Sequence, residues 1–138
     1  MRIYSIDKNG FEHILQFAPP GWWIGDIKSI IKQEPASLYI DAVDDSEFIM
    51  ILKPDLDKLY ALLPKFERYF RILAENSLAT YQHRLITNLS LTAKERYNNF
   101  CQLYPGLIQS LPQKYIASYI GVTPEFLSKM LNQVQTNK

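Results

Sequence analysis

The stretch Gln113-Lys114-Tyr115-Ile116-Ala117-Ser118-Tyr119-Ile120-Gly121-Val122-Thr123-Pro124-Glu125-Phe126-Leu127-Ser128-Lys129-Met130-Leu131-Asn132 sets two apolar stripes on either side of one glycine. Ile116, Ala117 and Ile120 share one helical face, and Ala117 is small where a second helix must cross closely. Gly121 follows at the point where a sharp turn needs left-handed backbone, which glycine adopts cheaply. Val122 plugs the turn, and Leu127 and Met130, with Leu131 behind, give the second helix its inner face. An ordinary helical hairpin also uses glycine and apolar spacing. The joint pattern is more demanding: a small residue, a glycine four later, and apolar positions six and nine beyond the glycine. It predicts a helix-turn-helix over roughly Ser110 to Gln133.

If that reading holds, Thr123, Glu125, Ser128, Lys129 and Asn132 form the exposed face of the second helix. In a DNA major groove, lysine donates to guanine O6 and N7, and glutamate accepts from cytosine N4. Ser128 and Asn132 reach bases or phosphates, and Thr123 bonds a phosphate beside the helix start. Plain solvation is the bland alternative for each of them. It weighs most on Glu125, because an acid near DNA costs affinity unless it reads a base. Lys114, Lys94 and Arg96 are candidate backbone contacts.

Upstream, Thr92-Ala93-Lys94-Glu95 has the form of a capping box, starting a helix that Tyr104-Pro105-Gly106 stops after about Leu103. Ser110-Leu111-Pro112-Gln113 reads as a similar start, and Thr123-Pro124 as a third, with threonine at the cap and proline at the first helical position. Further back, a helix of about Phe66 to Leu89 carries Phe66, Phe70, Leu73, Ser77/Leu78, Tyr81, Leu85 and Leu89 in steps of three and four. Such a seam suits pairing with a partner helix, or a helix laid on its own domain. A small sheet cannot cover so long a helix, which favours pairing. Leu56, Leu59, Tyr60, Leu62 and Leu63 mark a shorter helix before it, which Pro64 closes or kinks.

The first 53 residues read as strands. Ile3 to Ile6 and Phe11 to Ala18 flank Asp7-Lys8-Asn9-Gly10, where Asn-Gly favours a tight hairpin turn because both residues tolerate positive φ. Ser37 to Val43 and Glu47 to Leu52 are two further expected strands, joined by Asp44-Asp45-Ser46. Ile27 to Ile31, between the hairpin and these two strands, can be helical.

With 47% hydrophobic and 21% charged residues, the 138-residue chain is globular rather than disordered. Cys101 is alone, so no internal disulfide forms, and His13 and His83 make no zinc site unaided. No secretory leader is legible and no apolar run nears the ~20 residues of a membrane span, so a cytoplasmic location away from the membrane is expected. The net charge of +1 hides a division. Residues 1–83 hold nine Lys/Arg against twelve Asp/Glu (−3), and residues 84–138 hold six against two (+4). The basic end suits a polyanion. An enzyme is disfavoured: there is no nucleophile with a base, no metal set and no Gly-rich phosphate loop, and no cofactor is implied.

Leu91-Thr92-Ala93-Lys94-Glu95-Arg96-Tyr97, Tyr104-Pro105 and Gln113 to Lys129 together resemble the C-terminal domain of Crp/Fnr-type transcriptional regulators, in the variety common in Bacteroidetes. Gly21-Trp22-Trp23-Ile24-Gly25-Asp26 resembles the end of that family's cyclic-nucleotide-binding β-roll. The resemblance implies an α+β chain in three parts: a partial antiparallel β-roll over residues 1–63, a dimerisation helix over 64–90, and a winged-helix-like helix-turn-helix domain over 91–138. It implies a homodimer on double-stranded DNA, with two helices in successive major grooves of a near-palindrome and a small-molecule effector in the roll. Glu125 and Lys129 match the family's base-reading glutamate and basic residue, whereas Pro124 stands where cAMP-responsive members carry a DNA-contacting arginine. By the same comparison the chain starts partway through the roll, lacking roughly its first half.

Gly25, Asp26 and Ser37 are the effector-pocket candidates. In cAMP-binding relatives Gly and Glu open the phosphate segment and Arg-Ser closes it. Here Gly25-Asp26 opens it and Ala36-Ser37 closes it, so the bidentate arginine–phosphate pair is missing and cAMP binding by the usual mode is not expected. The leading expectation is a homodimeric DNA-binding transcriptional regulator. The alternative is a ligand-binding or protein-interaction module that no longer reads DNA.

Overall fold

The computed structural model describes residues 1–136, with side chains through Gln133. It is a mixed α/β chain with a three-stranded antiparallel sheet and, among the described residues, six helices. The chain divides into two compact units: Met1–Ser46 with the chain from Leu91 onward, and Glu47–Ser90.

In the first unit, β1 (Arg2–Ile6) pairs with β2 (Glu12–Phe17) on one side and β3 (Tyr39–Asp41) on the other, in the order β2-β1-β3. The β1–β2 turn is held by its first residue. Asp7 Oδ1 accepts from the amides of Asn9 at 2.8 Å and Phe11 at 3.0 Å, while the Gly10 amide donates to the Asp7 carbonyl at 3.0 Å. Only Gly10 takes left-handed backbone, at φ 82°, and Asn9 does not, so this is a longer loop than the tight Asn-Gly turn expected. A bulge between Ile3 and Tyr4 shifts the register, which re-aims the strand by one residue.

Arg2 ties the sheet together from a position only 4% exposed. Its guanidinium makes a bidentate pair with Asp41 (2.7 and 2.9 Å) and reaches Glu12 at 2.5 Å. The same planar group lies 4.0 Å from the ring centre of Tyr115 and 4.2 Å from that of Tyr4. A buried charge is tolerable only when paired and bonded in this way, and it links all three strands to the helix that carries Tyr115.

Two strand expectations need correction. Ser37 to Val43 shortens to Tyr39–Asp41, and Glu47 to Leu52 is not a strand at all. A strand must satisfy its backbone along a neighbouring edge. The three strands of the sheet pair only with one another, which leaves Phe48, Ile49 and Met50 exposed, Ile49 to 91%. The half-roll expected over residues 1–63 therefore comes, among the described residues, to three paired strands with α1 (Ile27–Lys32), and from Lys53 to Leu62 the chain is helical.

The helices α4 (Ala93–Leu103), α5 (Gln113–Ile120) and α6 (Pro124–Thr136) close over the sheet. Their common core is aromatic: Phe17 of β2 lies 5.7 Å from both Tyr104 and Tyr119 and 6.0 Å from Phe100, centre to centre. The two edge-on contacts, with Phe100 and Tyr104, contribute about 0.5–1.5 kcal/mol each beyond their burial. Tyr4, Ile14, Leu111, Ile116, Ala117, Ile120 and Leu127 complete the core. At the head of α4 both halves of the capping box are formed: Thr92 Oγ1 accepts from the Glu95 amide and Glu95 Oε2 accepts from the Thr92 amide. Ser110 does not cap α5. Pro112 stands at that cap, which has no side-chain bond, because its position one residue before Gln113 displaces the serine.

The second unit holds α2 (Lys53–Leu62) and α3 (Pro64–Ser90). Pro64 does both things a proline can do at a boundary: α2 stops at Leu62, and the proline becomes the first residue of α3, where its missing N–H costs nothing. Tyr60 and Phe70 meet edge to face at 5.7 Å, and Arg71–Glu75 and Lys58–Asp55 pair along the surface. No residue of α2 is buried, and in α3 only Thr87 is. No helix among the described residues is long and apolar enough to cross a membrane.

Candidate nucleic-acid interface

The α5–α6 pair forms because its turn satisfies the backbone it interrupts. Gly121, at φ 74° and ψ 41°, lets its own amide donate to the Ser118 carbonyl at 3.3 Å. The Val122 amide reaches back to Ala117 at 3.0 Å. Together these are the two reverse bonds that end a helix on a left-handed residue. Arg96 of α4 adds a third lock. Its Nε donates to the Ile120 carbonyl at 2.8 Å and its Nη1 to Leu91 at 2.9 Å. A cation at the carboxyl end of α5 also complements the helix dipole. Arg96, a candidate for the DNA backbone on sequence grounds, is thus engaged inside the protein.

Thr123 then restarts the chain as a helix. Its Oγ1 accepts from the Phe126 amide at 3.2 Å, with Pro124 at the first helical position as expected. Leu127 is fully buried, and Val122, Met130 and Leu131 pack half-buried against the same cluster. Ile116, Ala117 and Ile120 are buried, as their spacing required.

On the other side of α6, Thr123, Glu125, Ser128, Lys129 and Asn132 are all exposed. Glu125 and Lys129 sit one turn apart, yet no ion pair joins them, and neither they nor Ser128 has a polar partner among the described residues. Lys114 is exposed near the start of α5, with Nζ 5.0 Å from the Tyr115 ring centre. Phe126, which the apolar spacing left out, is 51% exposed beside this polar face. The signal was its place: a large apolar residue out of step with Leu127 and Met130.

Asp26 and Ser37 are brought together, but not as an open cavity. The Asp26 carboxylate is almost wholly buried and accepts four bonds: the Ser29 amide at 3.1 Å, the Ser37 amide at 2.9 Å, the Leu38 amide at 3.2 Å, and the Ser37 hydroxyl at 3.3 Å. The amide bonds from Ser29 and Ser37 hold its pKa below the ordinary carboxylate value. Gly25 beside it is closely approached: an added Cβ would meet the tip of the Ile30 side chain, Cδ1, at 3.0 Å, and that tip would have to give by a few tenths of an ångström.

The seam of α3 stands open within the chain. Phe66, Ser77, Tyr81 and Leu85 are exposed, and Phe70 and Leu73 are half-buried. Among the described residues no group of three His, Cys, Asp or Glu side chains is placed to hold a metal ion.

No protein-family model matches the chain. Over 138 aligned residues it is 25% identical to the transcriptional regulatory protein btr of Bordetella pertussis. That alignment takes in 92% of this chain and 56% of the other protein, so the chain spans little more than half the length of the curated relative it matches.

Proposed function

We propose that the chain is a transcriptional regulator that binds double-stranded DNA in a sequence-specific way, as a homodimer, and that it works by binding rather than catalysis. The observation that carries this reading is the α5–turn–α6 pair. It is locked at Gly121 and buried through Leu127, and its outward face holds Glu125, Ser128 and Lys129 without partners among the described residues. That is the arrangement a helix-turn-helix needs to hold its second helix in a major groove. Lys129 and Glu125 are the base readers, Thr123 and Lys114 meet phosphates, and Ser128 and Asn132 do either. The regulatory name of the relative from Bordetella pertussis points the same way.

The homodimer rests on the second unit. Two helices with one buried residue between them have no core of their own, while Tyr81 and Leu85 of α3 lie open. A second copy of the same seam would cover them. In this reading the sheet and α1 are the counterpart of the effector roll of the family that the sequence resembles. Asp26 supports the reading that a cyclic phosphate is not taken: a carboxylate already holds the amides of Ser29, Ser37 and Leu38, and a second anion would be repelled.

Selection of bound sequences from a random DNA pool tests the proposal. The expected result is one palindromic motif, with half-sites about one helical turn apart and affinity falling steeply with salt. A folded chain that enriches no motif at low salt would overturn it in favour of a protein-interaction module.

A further inference from the structure

We infer that Phe126 is a specificity residue that reads a thymine methyl group in the major groove. This rests on the DNA-binding reading above and names one base that the site selects. Phe126 is the third residue of α6, in the first turn, and it is the amino-terminal end of such a helix that contacts base edges. Its amide is fixed by Thr123 Oγ1 at 3.2 Å, so the backbone that aims the ring is anchored. The ring itself is 51% exposed and has no aromatic or cationic partner among the described residues. A turn further on, the residues flanking it are Lys129 on the polar side and Met130 on the buried side.

Chemistry narrows what such a ring can meet there. Of the four bases, only thymine presents an apolar group, its C5 methyl, on the floor of the major groove. Phe126 offers no donor or acceptor, so phosphates and the polar base edges gain nothing from it. The three-residue step from Phe126 to Lys129 rises about 4.5 Å along the helix, on the order of one base-pair step. The thymine is therefore expected within about two base pairs of the base that Lys129 reads.

The test uses the full chain and the motif it selects from random DNA. Each thymine of the half-site is replaced in turn by deoxyuridine, which lacks only the methyl group, and binding is compared for the unaltered chain and Phe126→Ala. At one position deoxyuridine should weaken the unaltered chain about fourfold, the equivalent of one methyl withdrawn from water, and leave the variant unchanged. Equal sensitivity of both proteins, or a half-site with no thymine near the Lys129 position, would overturn the assignment while leaving DNA reading intact. No motif from the unaltered chain would overturn both. Phe126 is half-exposed, so an unchanged urea midpoint for the variant is expected and excludes misfolding as the cause.

Discussion

The hydroxyl of Ser118 bridges the outer edge of β2: it accepts from the Ile14 amide at 3.0 Å and donates to the Glu12 carbonyl at 2.6 Å. β2 is an edge strand, and Ser118 supplies its outer side with one donor and one acceptor. One serine of α5 thereby closes the edge and joins the hairpin to the helix pair. Ser118→Ala should cost about 1–3 kcal/mol, because two hydrogen bonds to the backbone of β2 are lost at once. Urea unfolding at constant m-value measures it; a change within experimental error would mean that water takes the place of the hydroxyl without loss.

Gly121→Ala should destabilise the chain by about 1–2 kcal/mol, from left-handed backbone strain alone. Nothing lies within 4 Å of the Cβ that would be added, so packing contributes no penalty. Gly121→Asn should cost less, since asparagine tolerates this conformation. If alanine and asparagine cost the same, strain is not the cause.

Acid should unfold the chain through Asp41 and Asp26. Both carboxyls are held below the ordinary value of 3.8, Asp41 chiefly by the hydrogen bonds of Arg2 and Asp26 by the amides of Ser29 and Ser37. A depressed carboxyl stabilises the fold above its unfolded value, and that contribution is lost as pH falls through the folded one. Stability measured by denaturant from pH 7 downward should therefore drop most steeply below about pH 4. Asp26→Asn should flatten that drop, and an unaltered slope would count against the arrangement described.

Lys129→Ala should weaken binding to the selected sequence by about 1–3 kcal/mol and relax the preference at one base pair. Uniform weakening on every sequence would place Lys129 on a phosphate instead.

In the dimer proposed above, Leu85→Glu should break the pairing, so that analytical ultracentrifugation finds a dimer for the unaltered chain and a monomer for the variant. The residue is 62% exposed within one chain, so a charge there leaves the chain folded and acts only where a second seam covers it. An unchanged sedimentation coefficient would remove α3 from the interface.

The helices were legible because their signals are local. Thr92 with Glu95, Thr123 with Pro124, and the stop at Tyr104-Pro105-Gly106 each act within a few residues, and the structure has each boundary at the expected place. Ile116, Ala117, Ile120 and Leu127 declared their burial by spacing alone. What escaped was whatever depends on a distant neighbour. Glu47 to Leu52 has the composition of a strand, but strand formation needs an edge that composition does not supply. Ser118 looks like any half-polar helix residue until β2, 104 positions away, is laid beside it. The bidentate pair between Arg2 and Asp41 is equally silent in sequence, its partners lying 39 positions apart.

The joining of Met1–Ser46 to the chain from Leu91 onward has a consequence for how the protein comes into being on the ribosome. The hairpin emerges 104 residues ahead of the serine that will close its edge. At usual elongation rates that delay is about 5–20 s, far longer than the microseconds a hairpin takes to form. Throughout that interval Phe17 and Ile14 have no aromatic cluster to enter, and β2 offers an open edge to any neighbouring nascent chain. The first unit can complete itself only after α5 has left the exit tunnel, so its folding is set by the order of synthesis as much as by its contacts.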